Sequence, residues 1–544
     1  MKHRLLSPLI VSILGWGATA LAAPITSSNR DVLYPNTGAM PLAGVSLGGT
    51  QFRVLGLQGV GRIAANSIDS ATGESLGSIS DMQITNFQNL GGGSWSGRFE
   101  FLPDRGYNSG SIFSNYAARL NSFDFTFTPY TGTTPTALQN QIQTTFVEST
   151  RFTYDHDGNP ATAGKYTSGM LASGVGSLFG LPIPTVSGNT TQSDGTVNGR
   201  LTMDAEGLVL DSRAGRAGSG WVSDEYGPYI YHFNASKQID GLLHLPEALV
   251  PHSPTGTTNF LADPPTNGRR INQGMEGLAQ SPTGNRLFGL LQSATIQDSG
   301  PGNQGRSNTR LLVYDVSQSD APIDPVAQYV IQLPRIDDNG GTAAVNRTGA
   351  QSSILALNDH QLLILSRDGN GRGASGSPVF KSILLAELNG ATNIDGLFDA
   401  EGNAVAPGGV LSPTVTPISW VEALNILGKL DLSISELAQF GLNLNTAPGD
   451  LNTLSEKWEG LSLVSAQDPS APRDYFLFIG NDNDFMSATG KYMDASGNLQ
   501  SYNAGLENDT MILAWRVQIV PEPSTYALVC LGTLVVAISR RRRR

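Results

Sequence analysis

Three glutamates recur in one local pattern, Glu-Gly-Leu, and they are the residues best suited to do chemistry together. The pattern occurs at Glu206, Glu276 and Glu459. If each copy starts the innermost strand of a radially repeated sheet, the three carboxylates converge on a central channel. Calcium takes about six to eight oxygen ligands, so the repeat predicts a calcium site in that channel. The alternative is that each glutamate accepts hydrogen bonds only within its own sheet.

Three charged pairs stand at the ends of predicted strands. They are Asp104-Arg105, Asp224-Glu225 and Arg367-Asp368. An arginine can bind ester or phosphate oxygens through paired hydrogen bonds, and a carboxylate can hold a metal or activate water. We therefore predict a catalytic set of Asp104, Arg105, Glu225, Arg367 and Asp368. The alternative, strongest for Arg367-Asp368, is a set of buried ion pairs between adjacent sheets.

Two other segments are rich in side-chain oxygens. Residues 481–484 are Asn-Asp-Asn-Asp, so Asp482 and Asp484 are predicted metal ligands. Asp155 and Asp157 begin like a calcium loop, but the distant glutamate of an EF-hand is missing, which favours a turn.

The sequence does not support a serine hydrolase triad. Residues 44–48 match G-x-S-x-G, yet a predicted strand follows where a nucleophile elbow needs a helix. The histidines outside the leader show no metal-ligand spacing such as H-x-x-x-H. A metal-assisted mechanism is the better prediction.

The elements that must position these residues are short strands. Runs of four to six β-favouring residues between turn residues recur, at Arg98–Leu102, Phe123–Phe127, Arg310–Tyr314, Gln361–Leu365 and Tyr475–Ile479. The 63 glycines favour many turns. We therefore predict an all-β fold, a β-propeller of six or seven blades.

Two regions depart from the strand pattern. Residues 417–427 and 433–441 predict a small helical insertion, with Ser433 and Glu436 at capping-box spacing and Gly441 at its end. Residues 131–196 carry little strand signal and predict loops over one face.

Both ends of the chain carry targeting signals. Residues 1–22 have a basic head, an apolar run and small residues at the exit, which predicts a signal peptide. At the other end, residues 520–523 are Val-Pro-Glu-Pro, followed by an apolar segment at 526–538 and five arginines at 540–544. Its 13 apolar residues fall short of the roughly 20 of a stable transmembrane helix, so transient contact with the inner membrane is predicted. A permanent tail anchor is the alternative.

The charge of the exported part excludes nucleic acid as a leading partner. Both ends together hold seven of the 34 basic and one of the 46 acidic residues, which leaves residues 23–519 near −18. A surface of that sign repels polyanions. The only cysteine, Cys530, lies in the tail, so the exported domain has no disulfide.

The ordered motifs identify two family resemblances. The tail resembles the PEP-CTERM sorting signal of Gram-negative bacteria that export exopolysaccharide. The domain at 23–519 resembles the phytase-like, esterase-like β-propeller domain of secreted bacterial proteins. Its matching segments run in the family's order from about Gly48 to Trp515: Phe101–Asn108, Met203–Leu208, Trp221–Tyr231, Met275–Leu278, Leu291–Ser293, Leu365–Asp368, Trp458–Leu461 and Gly480–Phe485.

The chain also departs from that family pattern at two places. Only Ile79–Met82 aligns with the glycine-rich opening of the first blade, and Ser366 replaces an acidic residue. The resemblance implies hydrolysis of an ester or phosphoester without naming a substrate, and the tail implies a sorting protease as a partner.

The leading hypothesis is an exported, surface-associated hydrolase of a small ester or phosphoester, supported by calcium. The rival is a non-catalytic propeller that serves as an interaction module of the extracellular matrix and binds exopolysaccharide. Lactone hydrolysis is a third possibility that no residue singles out.

Overall fold

The computed structural model describes residues 31–32, 36–110, 112–155, 165–186, 199–261, 265–339, 341, 344–430 and 434–521. The predicted signal peptide, the apolar segment 526–538 and the arginines 540–544 lie outside the described residues, as does Asp157. Within the described ranges, no helix is long and apolar enough to cross a membrane.

Five four-stranded antiparallel units, called sheets 1 to 5 here, make up most of the fold. Sheets 1 and 5 are joined into one nine-stranded sheet by a single parallel pair, Gly61 with Ile142, and sheet 2 is the larger part of a six-stranded sheet. Sheet 1 contains Asp81–Gly91, Ser94–Leu102, Arg119–Phe127 and Ile142–Arg151, and sheet 2 contains Ala205–Leu210, Gly220–Asp224, Ile230–Phe233 and Gln238–Leu242. Sheet 3 contains Met275–Gln280, Arg286–Leu291, Asn308–Asp315 and Ala327–Gln332, and sheet 4 contains Ala350–Ala356, Gln361–Arg367, Lys381–Glu387 and Ser419–Asn425. Sheet 5 contains Lys457–Ser465, Asp474–Asp482, Thr510–Pro521 and, from the other end of the chain, Thr50–Ile63.

Smaller elements decorate these sheets. Thr153–Tyr154 and Lys165–Tyr166 extend sheet 2, and Val45–Leu47 pairs with Thr50–Ile63. One three-stranded sheet contains Asp31–Val32, Arg335–Ile336 and Arg347–Thr348. A second contains Gly174–Leu178, Leu181–Val186 and Arg200–Leu201. Two hairpins pair Asn108–Ser109 with Ile112–Phe113 and Gly490–Met493 with Leu499–Tyr502. The described helices are 3₁₀ turns, Asn303–Arg306, Pro407–Gly409 and Leu437–Phe440.

The sheets are arranged as propeller blades, and the first strand of each sheet is the innermost one. The innermost strand of each sheet contacts that of the next, and the innermost strand of sheet 5 contacts that of sheet 1. The Asp81 carboxylate lies among these strands and accepts hydrogen bonds from the backbone N–H of Leu208 at 2.8 Å and the Ser353 hydroxyl at 3.3 Å. The predicted all-β propeller is therefore confirmed.

Burial on both faces explains the solid apolar runs. In Gln361–Arg367, Leu362 and Ile364 pack into the core shared with sheet 3, whereas Leu363 and Leu365 pack into the core shared with sheet 5. Successive side chains of a strand point to opposite faces. A strand between two neighbouring sheets must therefore be apolar at every position.

Two sequence predictions about the elements differ from the structure, and the number of blades, predicted as six or seven, stays a prediction. The predicted loops at 131–196 include the outermost strand of sheet 1, Ile142–Arg151, whose exposed polar positions hide the strand pattern. The other prediction concerns the helical insertion.

The helical insertion predicted at 417–441 is wrong. Ser419–Asn425 is the outer strand of sheet 4, where Val421 pairs with Leu385, and Trp420 donates its indole N–H to the Gln332 carbonyl at 2.9 Å. Cross-strand pairing and burial on both faces override the helical spacing. Only a single 3₁₀ turn forms at Leu437–Phe440, and Gly441 ends it with φ 72° as predicted. Ser433 lies outside the described residues, and the Glu436 carboxylate accepts instead from the Leu57 backbone N–H at 3.1 Å.

Candidate active site

A cavity of about 310 Å³ opens where the innermost strands of sheets 2 to 5 begin. Eight of the ten predicted site residues line it: Asp104, Arg105, Glu206, Glu225, Glu276, Arg367, Asp368 and Glu459. The other two, Asp482 and Asp484, reach the same site through Asp104, as described below. The structure thus brings together residues that are up to 380 positions apart in the chain.

A β-bulge directs each repeated glutamate. In sheets 2, 3 and 5 the strand register shifts at the Glu-Gly step, between Ala205 and Leu208, Met275 and Gly277, and Trp458 and Gly460. A bulge adds one unpaired residue and re-aims its side chain. In sheet 4 the same shift falls between Gln351 and Ser353. Ser352 therefore takes the place of the glutamate in sheet 4.

The glycine of the motif is needed because neighbouring blades come very close. A Cβ at Gly207 would lie 2.6 Å from the Leu278 Cβ, and one at Gly460 would lie 2.2 Å from the Ile79 Cγ2. Any side chain at these positions would push the adjacent blade outward. The Glu-Gly pair therefore couples carboxylate placement to the tight packing of the channel.

Seven carboxylates form three overlapping groups at this site. In each group one ligand oxygen per residue lies within 4.8 Å of the others: Asp104, Asp204 and Glu206; Glu206, Glu225 and Glu276; and Asp104, Asp482 and Asp484. Asp104 and Glu206 each belong to two groups. The arrangement resembles a continuous row of oxygen donors, which suits hard divalent cations.

The groups differ in how their charge is compensated. Lys457 lies 3.2 Å from Asp482 and 2.6 Å from Asp484, and Arg105 pairs with Asp204. By contrast, within the described part of the chain no ion pair with a basic side chain reaches Glu206, Glu225 or Glu276. The group of Glu206, Glu225 and Glu276, hereafter the glutamate triad, is the one whose carboxylates have no basic ion-pair partner in the described structure.

Several buried carboxylate oxygens at the site have no hydrogen-bond donor among the described residues. They are Asp204 Oδ1, Glu225 Oε1 and Glu276 Oε2. Each of these side chains belongs to a residue no more than 2% exposed. A buried acceptor without a donor costs about 1–3 kcal/mol, and more when charged. A cation bound between these oxygens would remove that cost, so the residues present fit a divalent metal.

Burial and neighbouring like charges raise the pKa values of the glutamate triad. Burial first, and then the charge of Glu276, raises the pKa of Glu206 well above its usual value. Burial and then Glu225 do the same for the pKa of Glu276, and burial raises the pKa of Glu225 against the opposing charge of Arg105. Carboxylates this close cannot all ionise without a counter-charge. A bound cation would supply the counter-charge that lets all three carboxylates ionise.

The arginines predicted to be catalytic join neighbouring blades. Arg367, at the end of a sheet 4 strand, pairs with Glu459 of sheet 5 and donates from Nε to the Ser352 hydroxyl at 2.9 Å. Arg105, which follows sheet 1, pairs with Asp204, which precedes sheet 2, and donates to the Asn272 amide oxygen at 2.5 Å. Each guanidinium offsets one buried carboxylate and also lines the cavity.

Asp368 lies at the cavity but its carboxylate is already satisfied. It accepts hydrogen bonds from the Phe380 backbone N–H at 2.8 Å and from Lys381 Nζ at 2.8 Å, and it also binds the Val379 backbone N–H. These contacts fix the start of the next strand within sheet 4.

The sequence reasoning missed Asp204 and Lys457. Both are adjacent to a repeated motif: Asp204 stands two residues before Glu206, and Lys457 two residues before Glu459. The shared offset of two residues from a repeated glutamate is a signal that could have identified them.

Comparison with solved structures gives low overall similarity. A putative 6-phosphogluconolactonase from Bacteroides uniformis matches with 10% identity and a TM-score of 0.27, over 85% of this chain and 98% of that one. The periplasmic gluconolactonase of Pseudomonas aeruginosa matches with 11% identity and a TM-score of 0.27, over 86% and 100%. Similarity at this level does not indicate a shared activity.

Sequence comparison is far more specific. An "Uncharacterized secreted protein" of Arthroderma benhamiae is 30% identical over 482 residues, 81% of this chain and 89% of that protein. Residues 520–544 match the PEP-CTERM protein-sorting motif, which confirms the predicted tail. Residues 85–485 match the family model described as "Phytase-like: Esterase-like activity of phytase". The resemblance seen in the motifs is thereby confirmed, and the chain belongs to this phytase-like, esterase-like family.

Proposed function

We propose that this protein is an exported hydrolase of ester or phosphoester bonds whose channel mouth binds a divalent cation, with calcium as the first candidate. The observation that carries the proposal is the glutamate triad. Three buried carboxylates converge within 4.8 Å in a cavity and have no basic partner in the described structure. Such an arrangement is costly for stability alone, which favours a ligand-binding role.

The residues that would hold the cation are carboxylates that converge at the cavity. Glu206 and Glu276 would provide the core of the site, and Asp104 and Asp204 would extend it on the side of sheet 1. Asp204 and Glu276 each also have a buried oxygen without a donor among the described residues. When bound, the cation would neutralise the cluster and polarise an ester or phosphoester oxygen. Asp482 and Asp484 are weaker candidates, because Lys457 already occupies the space between them.

The chain's own residues would divide the remaining work. Water is the attacking species, and Glu225 is our candidate to accept its proton, because Glu225 Oε1 faces the cavity region without a donor. The proton then passes to the oxygen of the departing alcohol, so that water is consumed and an acid and an alcohol are formed. Arg105 and Arg367 would stabilise the negative charge that develops on the substrate oxygen, from positions where they already border the cavity.

Export sets the place of action. We propose that residues 1–22 are removed and that a sorting protease acts at the tail, so that the domain reaches the cell surface or the extracellular matrix. The PEP-CTERM match and the secreted relative support this route. Exopolysaccharide is the surface polymer that the rival interaction module would bind.

The test compares turnover with calcium and with chelator. Purified protein would be assayed on 4-nitrophenyl acetate, 4-nitrophenyl phosphate and phytate. We expect calcium-dependent turnover on at least one of them, and a loss of about 100-fold or more in Glu206→Gln/Glu276→Gln. The matched control is Glu148→Gln/Glu401→Gln, which removes the same charge at two exposed glutamates and should keep full activity.

Two results would contradict the proposal. The first is turnover that is equal in wild type and in the Glu206→Gln/Glu276→Gln variant. The second is a protein that gains thermal stability with calcium but hydrolyses none of the three compounds, which would favour the matrix interaction module.

A further inference from the structure

Two arginines outside the carboxylate groups also line the cavity. Arg306 closes the 3₁₀ turn Asn303–Arg306, and Arg347 begins the short strand Arg347–Thr348. The two segments are tied together, because the Thr348 hydroxyl donates to the Asn303 carbonyl at 3.0 Å. The same cavity is therefore lined by the converging carboxylates and by this arginine pair.

Arg306 lacks a counter-charge. Within the described structure its guanidinium has no ion pair and no side-chain hydrogen bond, and its Nε is buried without an acceptor. Its neighbours are cationic: burial first, and then the charges of Arg270 and Arg347, lowers the pKa of Arg306. Arg347 pairs with Asp338 at 2.8 Å, and Arg270 donates to the Ser299 hydroxyl at 3.2 Å. Of these three arginines, Arg306 is the one whose side-chain N–H groups have no hydrogen-bond acceptor in the described structure.

This arrangement is unfavourable until an anion enters. A half-buried cation beside two others is destabilised by repulsion and by its unsatisfied N–H groups. A planar guanidinium with free donors matches the oxygens of phosphate or carboxylate in paired hydrogen bonds. Asn303, Thr348 and Gln273 add polar groups to the lining of the same cavity. A cavity of about 310 Å³ has room for a small anionic molecule.

We propose that Arg306 and Arg347 form an oxyanion subsite, which binds a phosphate or carboxylate group of the substrate in the cavity that the glutamate triad also lines. The substrate would then be an anionic ester that carries one acidic group to the arginines and presents its scissile bond to the converging carboxylates. The identity of the scissile bond rests on the proposed function, whereas anion binding at Arg306 does not.

The test measures anion binding without turnover. Inorganic phosphate and acetate would be titrated into purified protein by calorimetry, in chelator, so that no bound cation attracts the anion. We expect Arg306→Gln to weaken binding of the preferred anion by about tenfold or more, because it removes a charge-assisted hydrogen-bonding group. Arg306→Lys keeps the charge but loses the paired N–H donors of the guanidinium. Its affinity for the anion should lie between those of wild type and Arg306→Gln. Tighter binding of phosphate assigns a phosphoester arm, and tighter binding of acetate a carboxylate arm.

Arg98→Gln is the matched control, because it removes an arginine charge on the second strand of sheet 1, and Arg98 does not line the cavity. It should leave anion binding unchanged. The subsite is refuted if wild type binds neither anion in chelator, or if Arg306→Gln and Arg98→Gln bind equally well. Phosphate that binds only with calcium and ignores Arg306→Gln would refute the subsite too, while leaving the cation site and the proposed hydrolase intact.

Discussion

At the scale of residues, the site is a balance of buried charges. Arg105 and Arg367 each compensate one carboxylate across a blade boundary, and Lys457 compensates two. The glutamate triad receives no such partner. Removing one member of a buried pair is costly because the other charge stays buried, whereas removing both members is often tolerated. This asymmetry separates structural charges from charges kept for a ligand.

The Arg367–Glu459 pair gives the corresponding prediction. Arg367→Met should lower the free energy of unfolding by about 3–5 kcal/mol, because Glu459, 2% exposed, would lose its counter-charge. Glu459→Gln in the same chain should recover much of that loss. Urea denaturation of the two single variants and the double variant measures the coupling. Additive effects in this cycle would contradict a direct buried pair.

At the scale of elements, the bulged innermost strand is the unit that builds the site. Three strands combine a bulge, a glutamate and a glycine, and the close contact between blades leaves no room for a Cβ at the glycine. The strand positions were largely predictable from apolar alternation. The Ser419–Asn425 strand was not, because its partner Lys381–Glu387 lies about 40 residues away and decides its conformation.

Gly460→Ala tests this packing. The new methyl group would lie 2.2 Å from the Ile79 Cγ2, and Ile79 is fully buried, so we expect a loss of about 1–3 kcal/mol in the free energy of unfolding. Gly38→Ala is the control, because a Cβ there meets nothing within 4 Å. Urea denaturation of both variants decides the matter. Equal stability of the two would show that sheets 1 and 5 are not in tight contact at this point.

At the scale of the whole molecule, buried acids make stability depend on pH. Burial raises the pKa of Glu459 to about 7 against Lys457 and Arg367, and raises the pKa of Asp224 to about 7 and that of Asp81 to about 8 against backbone hydrogen bonds. In the unfolded chain such acids titrate near pH 4. A carboxyl group whose pKa is raised by folding stabilises the fold fully below its unfolded pKa and loses that contribution as the pH rises through the folded pKa.

The metal-free protein should therefore lose thermal stability between about pH 5 and pH 8. Calcium should raise the melting temperature at pH 8, because the cation neutralises the ionised carboxylates of its own site, while the loss from Glu459, Asp224 and Asp81 should remain. Melting temperatures at pH 5, 6, 7 and 8, with calcium and with chelator, provide the measurement. A melting temperature that rises with pH in chelator would contradict the conclusion that these acids are buried and have raised pKa values.

The sequence by itself determined everything that depends on neighbours along the chain. The sorting tail, the strand grammar, the family and the repeated glutamates are local patterns of charge, hydropathy and spacing, and they hold in any arrangement of the blades. Because the repeat places equivalent residues on equivalent strands, even the convergence of Glu206 and Glu276 was predictable.

Only the tertiary structure decided which charges remain uncompensated. Glu459 is neutralised by Arg367 and Asp482 by Lys457, while Glu225 joins the triad in place of Glu459. That Arg306 has no counter-charge in the described structure is likewise decided only by the tertiary structure. Each of these outcomes depends on which distant blade lies opposite, and that geometry arises only when the five sheets pack around one channel.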